Sequence, residues 1–282
     1  MMGDRIELYN KVCLECSKIT TSRYSTSFSL GTCLLDKPTR QAIYAIYGFV
    51  RFADEIVDSL HQFNKSELLT RFKTNTYEAI EEGISLNPIL QSFQLVVNQF
   101  GIEKHLIDAF FKSMEMDLNS TSYDNDKLGE YIYGSAEVVA LMCLKVFCNG
   151  NQQQYEMLYQ PARRLGAAFQ KINFLRDMRE DFIGLGRVYF PNIDFNNFTN
   201  EQKLQIEADI QADFDAALEG IKLLGNNSKL GVYVAYRYYL SLFDKIKRIP
   251  PQKLIGKRYR ISNAKKMLIM ASSWVGIKIG TI

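Results

Sequence analysis

The sequence predicts an all-α fold, and three observations carry that expectation. Apolar residues recur at three- and four-residue spacing through most of the 282 positions, and sustained alternating runs are missing. There are only six prolines, several of them where a helix should start or stop. Hydrophobic residues make up 47% and charged residues 23%, the balance of a globular chain with a sizeable core. No Ser/Gly linker and no repeat of helical-hairpin length divides the chain, so residues 1–282 read as one helical domain.

The first element is "MMGDRIELYNKVCLECSKIT". It has acids early and no long apolar stretch, so it reads as a helix of the mature protein and not as a signal peptide. Cys13 and Cys16 form a lone C-x-x-C, with Cys33, Cys143 and Cys148 elsewhere. With no second pair and only His61 and His105 in the chain, these read as reduced thiols packed on a helix, not as a zinc or redox site.

The next strong element is "QAIYAIYGFVRFADEIVD". At about 100° per residue, Tyr44, Tyr47, Arg51, Asp54 and Asp58 share one stripe of a helix. Ile46, Phe49, Val50, Phe52, Ala53 and Val57 cover much of the remaining surface. The polar stripe therefore faces a cleft. Two carboxylates one turn apart repel, and the repulsion grows when water is removed, so a cation is called for.

"NSTSYDND" (119–126) and "GNNSK" (225–229) are loops by composition. "YQPARRLGAAFQKINFLRDMREDF" is a helix of about twenty residues with Pro161 at its N-terminus, and "GLGR" (184–187) is its stop. "PNIDFNNFTNEQ" (191–202) is a loop in which Thr199 caps the acidic helix that follows. The last segment gathers Lys253, Lys257, Arg258, Arg260, Lys265 and Lys266 ahead of "MLIMASSWVGI", which is apolar, carries the single Trp and is too short to span a bilayer. Two readings fit it: peripheral contact with an anionic membrane surface, or a last helix packed on the bundle with a solvated basic flank. No run of about eighteen apolar residues occurs elsewhere, so no membrane span is expected. A net charge of +3 gives no reason to expect nucleic acid as a partner.

The helix around 170 holds a second acidic set. Gln170, Asn173, Asp177 and Asp181 are spaced three, four and four apart and share a face. Asp177 and Asp181 repeat the spacing of Asp54 and Asp58, and Arg176 sits beside the first of them as Arg51 sits near Asp54. Carboxylates and an amide oxygen are ligands that Mg²⁺ takes, while keeping positions for water and substrate phosphate oxygens. Two such helices facing each other would hold Mg²⁺ around a diphosphate, with Arg51, Arg176 and Arg187 adding fixed positive charge. A structural ion-pair network is the plain alternative.

These segments together resemble the squalene/phytoene synthase family, the head-to-head prenyltransferases. "YAIYGFVRFADEIVD" is similar to the family's first aspartate-rich segment, and "LGAAFQKINFLRDMREDFIGLGRVYFP" to the second with its G-R-x-Y-x-P tail. "RYSTSFSLGT", "EYIYGSAEVV" and "YYLSLFDKI" resemble further elements in the family's order, over nearly the whole chain. The resemblance implies an isoprenoid-synthase-type helical bundle around a central cavity. It implies Asp54, Asp58, Asn173, Asp177 and Asp181 as Mg²⁺ ligands, with Mn²⁺ as a substitute. It implies substrate contacts from Tyr24, Ser25, Thr26, Ser27, Tyr47, Arg51, Gln170, Asn173, Arg176, Arg187, Tyr189 and Tyr239, with Tyr47, Arg51 and the four aspartates catalytic.

The chain departs from the family pattern at Glu137 and Ala140, where many relatives carry glycine, and at Phe243, where leucine is usual. Glu137 is expected either to narrow the isoprenoid channel or to point away from it. The activity implied is condensation of two geranylgeranyl diphosphates to phytoene, as in bacterial phytoene synthases, with no NADPH. The alternatives are a relative using the C15 donor to make dehydrosqualene or squalene, and an inactive relative kept as a binding or assembly factor. Head-to-tail elongating enzymes and terpene cyclases typically carry D-D-x-x-D and lack the G-R-x-Y-x-P tail. A cytoplasmic protein, peripheral on the inner face of the membrane, is the expected setting.

Overall fold

The fold follows from a computed structural model that describes residues 2–119, 123–180, 184, 186–191, 198–254, 256 and 258–280. The described residues form helices and no strand. In order these are α1 (Met2–Tyr24), α2 (Thr26–Thr32), α3 (Lys37–Asp58), α4 (Lys65–Glu82), α5 (Pro88–Phe100), α6 (Lys104–Asn119), α7 (Asn125–Ile132), a π-helical turn (Tyr133–Glu137), α8 (Val138–Cys148), α9 (Gln152–Arg179), α10 (Asn200–Leu223), α11 (Lys229–Lys247), the short α12 (Pro251–Leu254) and α13 (Asn263–Lys278).

Side chains that satisfy orphan backbone groups set many of the boundaries. Asp36 caps α3 by accepting from Thr39 N at 2.9 Å, with Pro38 just inside the helix. Asn64 and Asn87 cap α4 and α5 in the same way. Thr199 caps α10 through a reciprocal capping box with Gln202, as the sequence predicts.

Pro161 does not begin its helix. Asn151 caps α9 at Gln154 N, and α9 runs on through Pro161 for 28 residues. The proline ring is accommodated because α10 presents Gly220 to it, where a Cβ would lie 2.2 Å from the Pro161 Cβ. The packing between α9 and α10 thus overrides the local preference of proline to end a helix. Fully buried Asp213 on α10 ties the same pair together, accepting from Lys171 at 2.6 Å and from Arg164 at 2.9 Å. The partners satisfy the buried charge that would otherwise be costly.

Away from the cavity α3 buries Phe49, Ala53 and Val57, while Phe52 stands 38% exposed. Phe49 stacks on Phe93 of α5 at 3.9 Å and meets Phe72, Phe110 and Phe111 of α4 and α6. Each such buried aromatic contributes about 1.5–3 kcal/mol through loss of apolar surface from water. Cys13 is buried and Cys16 half-buried on α1, both as free thiols.

The continuous helix from Asn125 to Cys148 is long and apolar enough, by composition, to cross a membrane. Here it is an inner helix, with α3, α6 and α9 packed against it. Its π turn lies against α9 at Gly166, where a Cβ would come within 2.7 Å of the Ala136 carbonyl oxygen. Glu137, at the end of that turn, points away from the interior and bonds Arg163 at 2.6 Å. It does not narrow the cavity.

Candidate active site

Helices α2, α3, α8, α9, α10 and α11 enclose an elongated cavity of about 550 Å³. Its two ends differ in chemistry. One end is lined by Tyr47, Arg51, Asp54, Asp58, Asp117, Asn173, Arg176, Asp177 and Arg187. The other is lined by Cys143, Phe147, Leu158, Ala162, Ile221 and Leu224. From Asp177 to Leu158 the wall is nineteen residues of α9, about 28 Å at 1.5 Å per residue.

The first aspartate pair stands where its spacing predicts. Asp54 and Asp58 project from the last two turns of α3 into the polar end, with Arg51 and Tyr47 one and two turns earlier. Tyr44 of the predicted stripe is buried but outside the lining. Burial, and then the like charge of Asp58, push Asp54 up to about 7. The Arg51 guanidinium opposes that shift but is also engaged by Glu55, and it lies over the Tyr24 ring at 4.4 Å. Arg51 Nε is buried with no hydrogen-bond partner among the described residues.

The second set comes from α9. Arg176 forms a bidentate pair with Asp177 at 2.9 and 2.5 Å. Asn173 accepts from the Tyr239 hydroxyl at 3.3 Å and donates to Gln170 at 3.4 Å. Tyr239 in turn stacks on Phe169 at 3.9 Å, and Tyr47 on Phe28 at 4.8 Å. Burial raises the Tyr47 phenol to about 12, so it stays protonated. Asp181 lies outside the described residues. Tyr24 and Ser25 line the cavity, Ser25 also capping α2 at Phe28 N. Thr26 and Ser27 are not among the lining residues, and Thr26 Oγ1 instead meets Lys266 Nζ at 3.3 Å.

Arg187 reaches the site from the segment after α9. It is 7% exposed and donates to Asp58 at 3.0 Å and to the Asp117 carbonyl at 2.8 Å. Tyr189 stacks on Phe174 at 4.1 Å and packs beside Tyr123 and Tyr131.

Two site residues escape the sequence reading. Asp117 of α6 lines the polar end, accepts from the Tyr131 hydroxyl at 2.9 Å and lies 3.5 Å from Arg187. Burial lifts it to about 7 against the pull of Arg187, with Asp58 adding to the rise. A signal was present: Leu106, Phe110, Met114 and Asp117 follow helical spacing, so Asp117 falls on the apolar face. The other is Arg258, which reads as part of a basic flank but bonds Asp177 at 2.9 Å and Glu180 at 3.1 Å. Nothing local in the sequence marks that contact.

The oxygen donors of Asp54, Asp58, Asn173 and Asp177 share one end of the cavity and are of the kind Mg²⁺ and Mn²⁺ take. Among the described residues no three acidic, His or Cys side chains yet converge on one point. Asp58 and Asp177 are turned onto arginines, while Asp54 and Asp58 crowd each other with too little positive charge nearby. The donor set therefore suits a divalent ion, provided the arginines let go.

Comparisons with known proteins identify the family and the fold. The squalene/phytoene synthase family profile matches residues 21–265. The chain is 27% identical to the 15-cis-phytoene synthase of Synechocystis sp. over 94% of this chain and 85% of that protein. It is 24% identical to the 4,4'-diapophytoene synthase of Staphylococcus haemolyticus over 80% and 84%. A solved dehydrosqualene synthase, complexed with a ligand, superposes with a TM-score of 0.79 at 20% identity, covering 95% of this chain and 98% of that one. The helical bundle is therefore the squalene synthase-like fold. The chain belongs to the squalene/phytoene synthase family and is an enzyme of the prenyltransferase type.

Proposed function

We propose that the chain joins two geranylgeranyl diphosphates head to head, through a cyclopropyl diphosphate, to give phytoene. The observation that carries this reading is the polarity of the cavity, with carboxylates and arginines at one end, apolar side chains behind them, and a depth of about 28 Å along α9 from Asp177 to Leu158. At about 5 Å per extended isoprene unit, a C20 chain needs about 20 Å and a C15 chain about 15 Å. The depth supports the longer donor. A relative named 4,4'-diapophytoene synthase keeps the C15 donor as the second reading.

Asp54, Asp58, Asn173 and Asp177, with Asp181, would hold Mg²⁺, which when bound offsets the charge of the leaving diphosphate as a Lewis acid. Arg51 offers its unpartnered Nε to that diphosphate, and Arg176, Arg187 and Arg258 stand ready at the same end. Gln170 and Tyr239 orient Asn173. The rings of Phe28, Tyr47, Phe169 and Tyr239 keep water from the allylic cation and stabilise it by about 1–2 kcal/mol where desolvated. Two diphosphates and two protons leave over the whole sequence, one proton as the cyclopropane closes and one in the last elimination, so no reductant is consumed and no NADPH is needed. A squalene-forming relative would need a hydride at the last step. The substrates and product are lipids, which supports a cytoplasmic enzyme peripheral to the inner face of the membrane.

The test replaces Asp54 or Asp177 by Ala and follows diphosphate release from geranylgeranyl diphosphate. Loss of turnover by at least about a thousandfold, with far-UV circular dichroism unchanged, is expected. Activity within about tenfold of the parent would sink the metal-diphosphate reading.

A further inference from the structure

Helix α13 is built inside out. Its inward side carries Lys266 and Ser273 beside Ile269, all buried. Lys266 reaches Thr26, the Lys266 carbonyl accepts from the Tyr238 hydroxyl at 3.0 Å, and Arg237 donates to Ser272 and Ser273 at 2.8 and 3.0 Å. The outward side is apolar. Leu268, Val275 and Ile279 fall within about 40° of one another around the helix axis, and Met267 and Trp274 form the neighbouring strip. Leu268 is 70% exposed, Ile279 68% and Trp274 49%. Lys278 lies over the Trp274 ring at 4.4 Å, and exposed Lys265 flanks the strip on its other side. A helix that spends its polar groups on the bundle and turns its large apolar groups outward is missing a partner on the outer face.

Charge identifies the partner. The chain has 34 basic and 31 acidic residues, yet residues 245–282 contain ten of the basic ones and none of the acidic ones. The other 244 residues therefore hold 24 basic against 31 acidic. A second copy meeting this face would bring two such basic segments together. An apolar strip bearing a Trp and edged by lysines, on a helix about 24 Å long, suits a bilayer interface with anionic headgroups. Position agrees. Helix α13 packs on α11, and α11 together with α2 forms cavity wall at Gly31, Gly231 and Tyr239.

We propose that α13 lies in the surface of an anionic membrane, with Leu268, Trp274, Val275 and Ile279 inserted and the flanking lysines on the headgroups. Such docking would set the cavity wall one helix away from the lipid phase. It does not depend on which prenyl donor is used.

The single Trp of the chain makes the test direct, because emission excited selectively from Trp over tyrosine reports α13 alone. The full chain is mixed with phosphatidylcholine vesicles, with and without phosphatidylglycerol, and followed by co-sedimentation and Trp emission. Expected are a blue shift, at least tenfold stronger binding to the anionic vesicles, and release by salt. Leu268→Glu and Val275→Glu, both at exposed positions, are expected to lose binding at least tenfold while keeping turnover of detergent-dispersed substrate. No binding to anionic vesicles overturns the proposal. So does binding that both substitutions leave unchanged. Self-association abolished by Leu268→Glu, without vesicle binding, overturns it in favour of a second copy. None of these outcomes alters the product assay that tests the activity.

Discussion

Arg187 and Asp58 are 129 residues apart in sequence and 3.0 Å apart in space. The pair places an arginine on a carboxylate that, under the proposed function, would hold a metal ion. Arg176 and Arg258 do the same to Asp177. In this state arginines pair with Asp58 and Asp177, while Asp54 is crowded by Asp58. With metal and diphosphate bound, the proposed function would have the carboxylates hold the ions and the arginines the phosphate oxygens. The arginines, and the raised proton affinity of Asp54, make the like-charged aspartates tolerable in a recessed site.

Metal and diphosphate should therefore bind with strong mutual assistance. Calorimetric titration of Mg²⁺ is expected to give at least about tenfold tighter binding with inorganic diphosphate present than without it, a coupling of about 1.4 kcal/mol or more. Equal affinities, after correction for Mg²⁺–diphosphate complexes in solution, would remove the exchange.

Asp117 is expected to act through Arg187, which it holds from below by carbonyl and carboxylate together. Asp117→Asn keeps the size of the side chain and removes its charge. It should lower kcat/KM by about ten- to a hundredfold, chiefly in kcat, with α-helical content retained. Combined with Arg187→Lys, it should cost little more than the more damaging single change, because the two residues work as one unit. Additive losses would show that Asp117 acts independently of Arg187.

The pH dependence has a defined sign. Asp54 and Asp117 rise from an ordinary 3.8 to about 7, so between these values the folded chain binds more protons than the unfolded chain. Their contribution to stability is complete below about pH 4 and is lost as pH rises toward about 7. Asp54→Asn removes one of the two titrations. The Tm of the metal-free parent relative to this variant should fall between about pH 5 and pH 7.5. Bound Mg²⁺ needs the ionised carboxylate, so stabilisation by Mg²⁺ with diphosphate should grow over the same range. A parent-minus-variant difference that stays flat or rises with pH contradicts this assignment.

Donor length should be adjustable at Leu165 on the cavity wall. It lies twelve residues of α9 from Asp177, about 18 Å along the axis, beyond the reach of a C15 chain and within that of a C20 chain. Leu165→Trp is expected to lower the C40 rate at least about tenfold relative to the C30 rate in a mixed-donor assay. An unchanged product ratio would place the end of the bound chain elsewhere.

The aspartates were legible because helical spacing alone puts Asp54 with Asp58, and Asn173 with Asp177, on shared faces. The Thr199 capping box was equally local. What stayed hidden depends on contacts between distant segments. Pro161 looks like a helix start until α10 offers it Gly220. Arg258 looks like a solvated charge until the chain returns it to Asp177. The basic, Trp-bearing end supported both a packed helix and a membrane face, and the structure has one side of α13 packed and the other apolar and exposed.

The central claim is tested most directly by incubating the purified chain with Mg²⁺ and geranylgeranyl diphosphate, without reductant, and identifying the hydrocarbon by mass spectrometry. The expected result is a C40 hydrocarbon with the composition of phytoene. A C30 product from farnesyl diphosphate, with no C40 product from the longer donor, would contradict it and leave the chain a C15-using member of the same family.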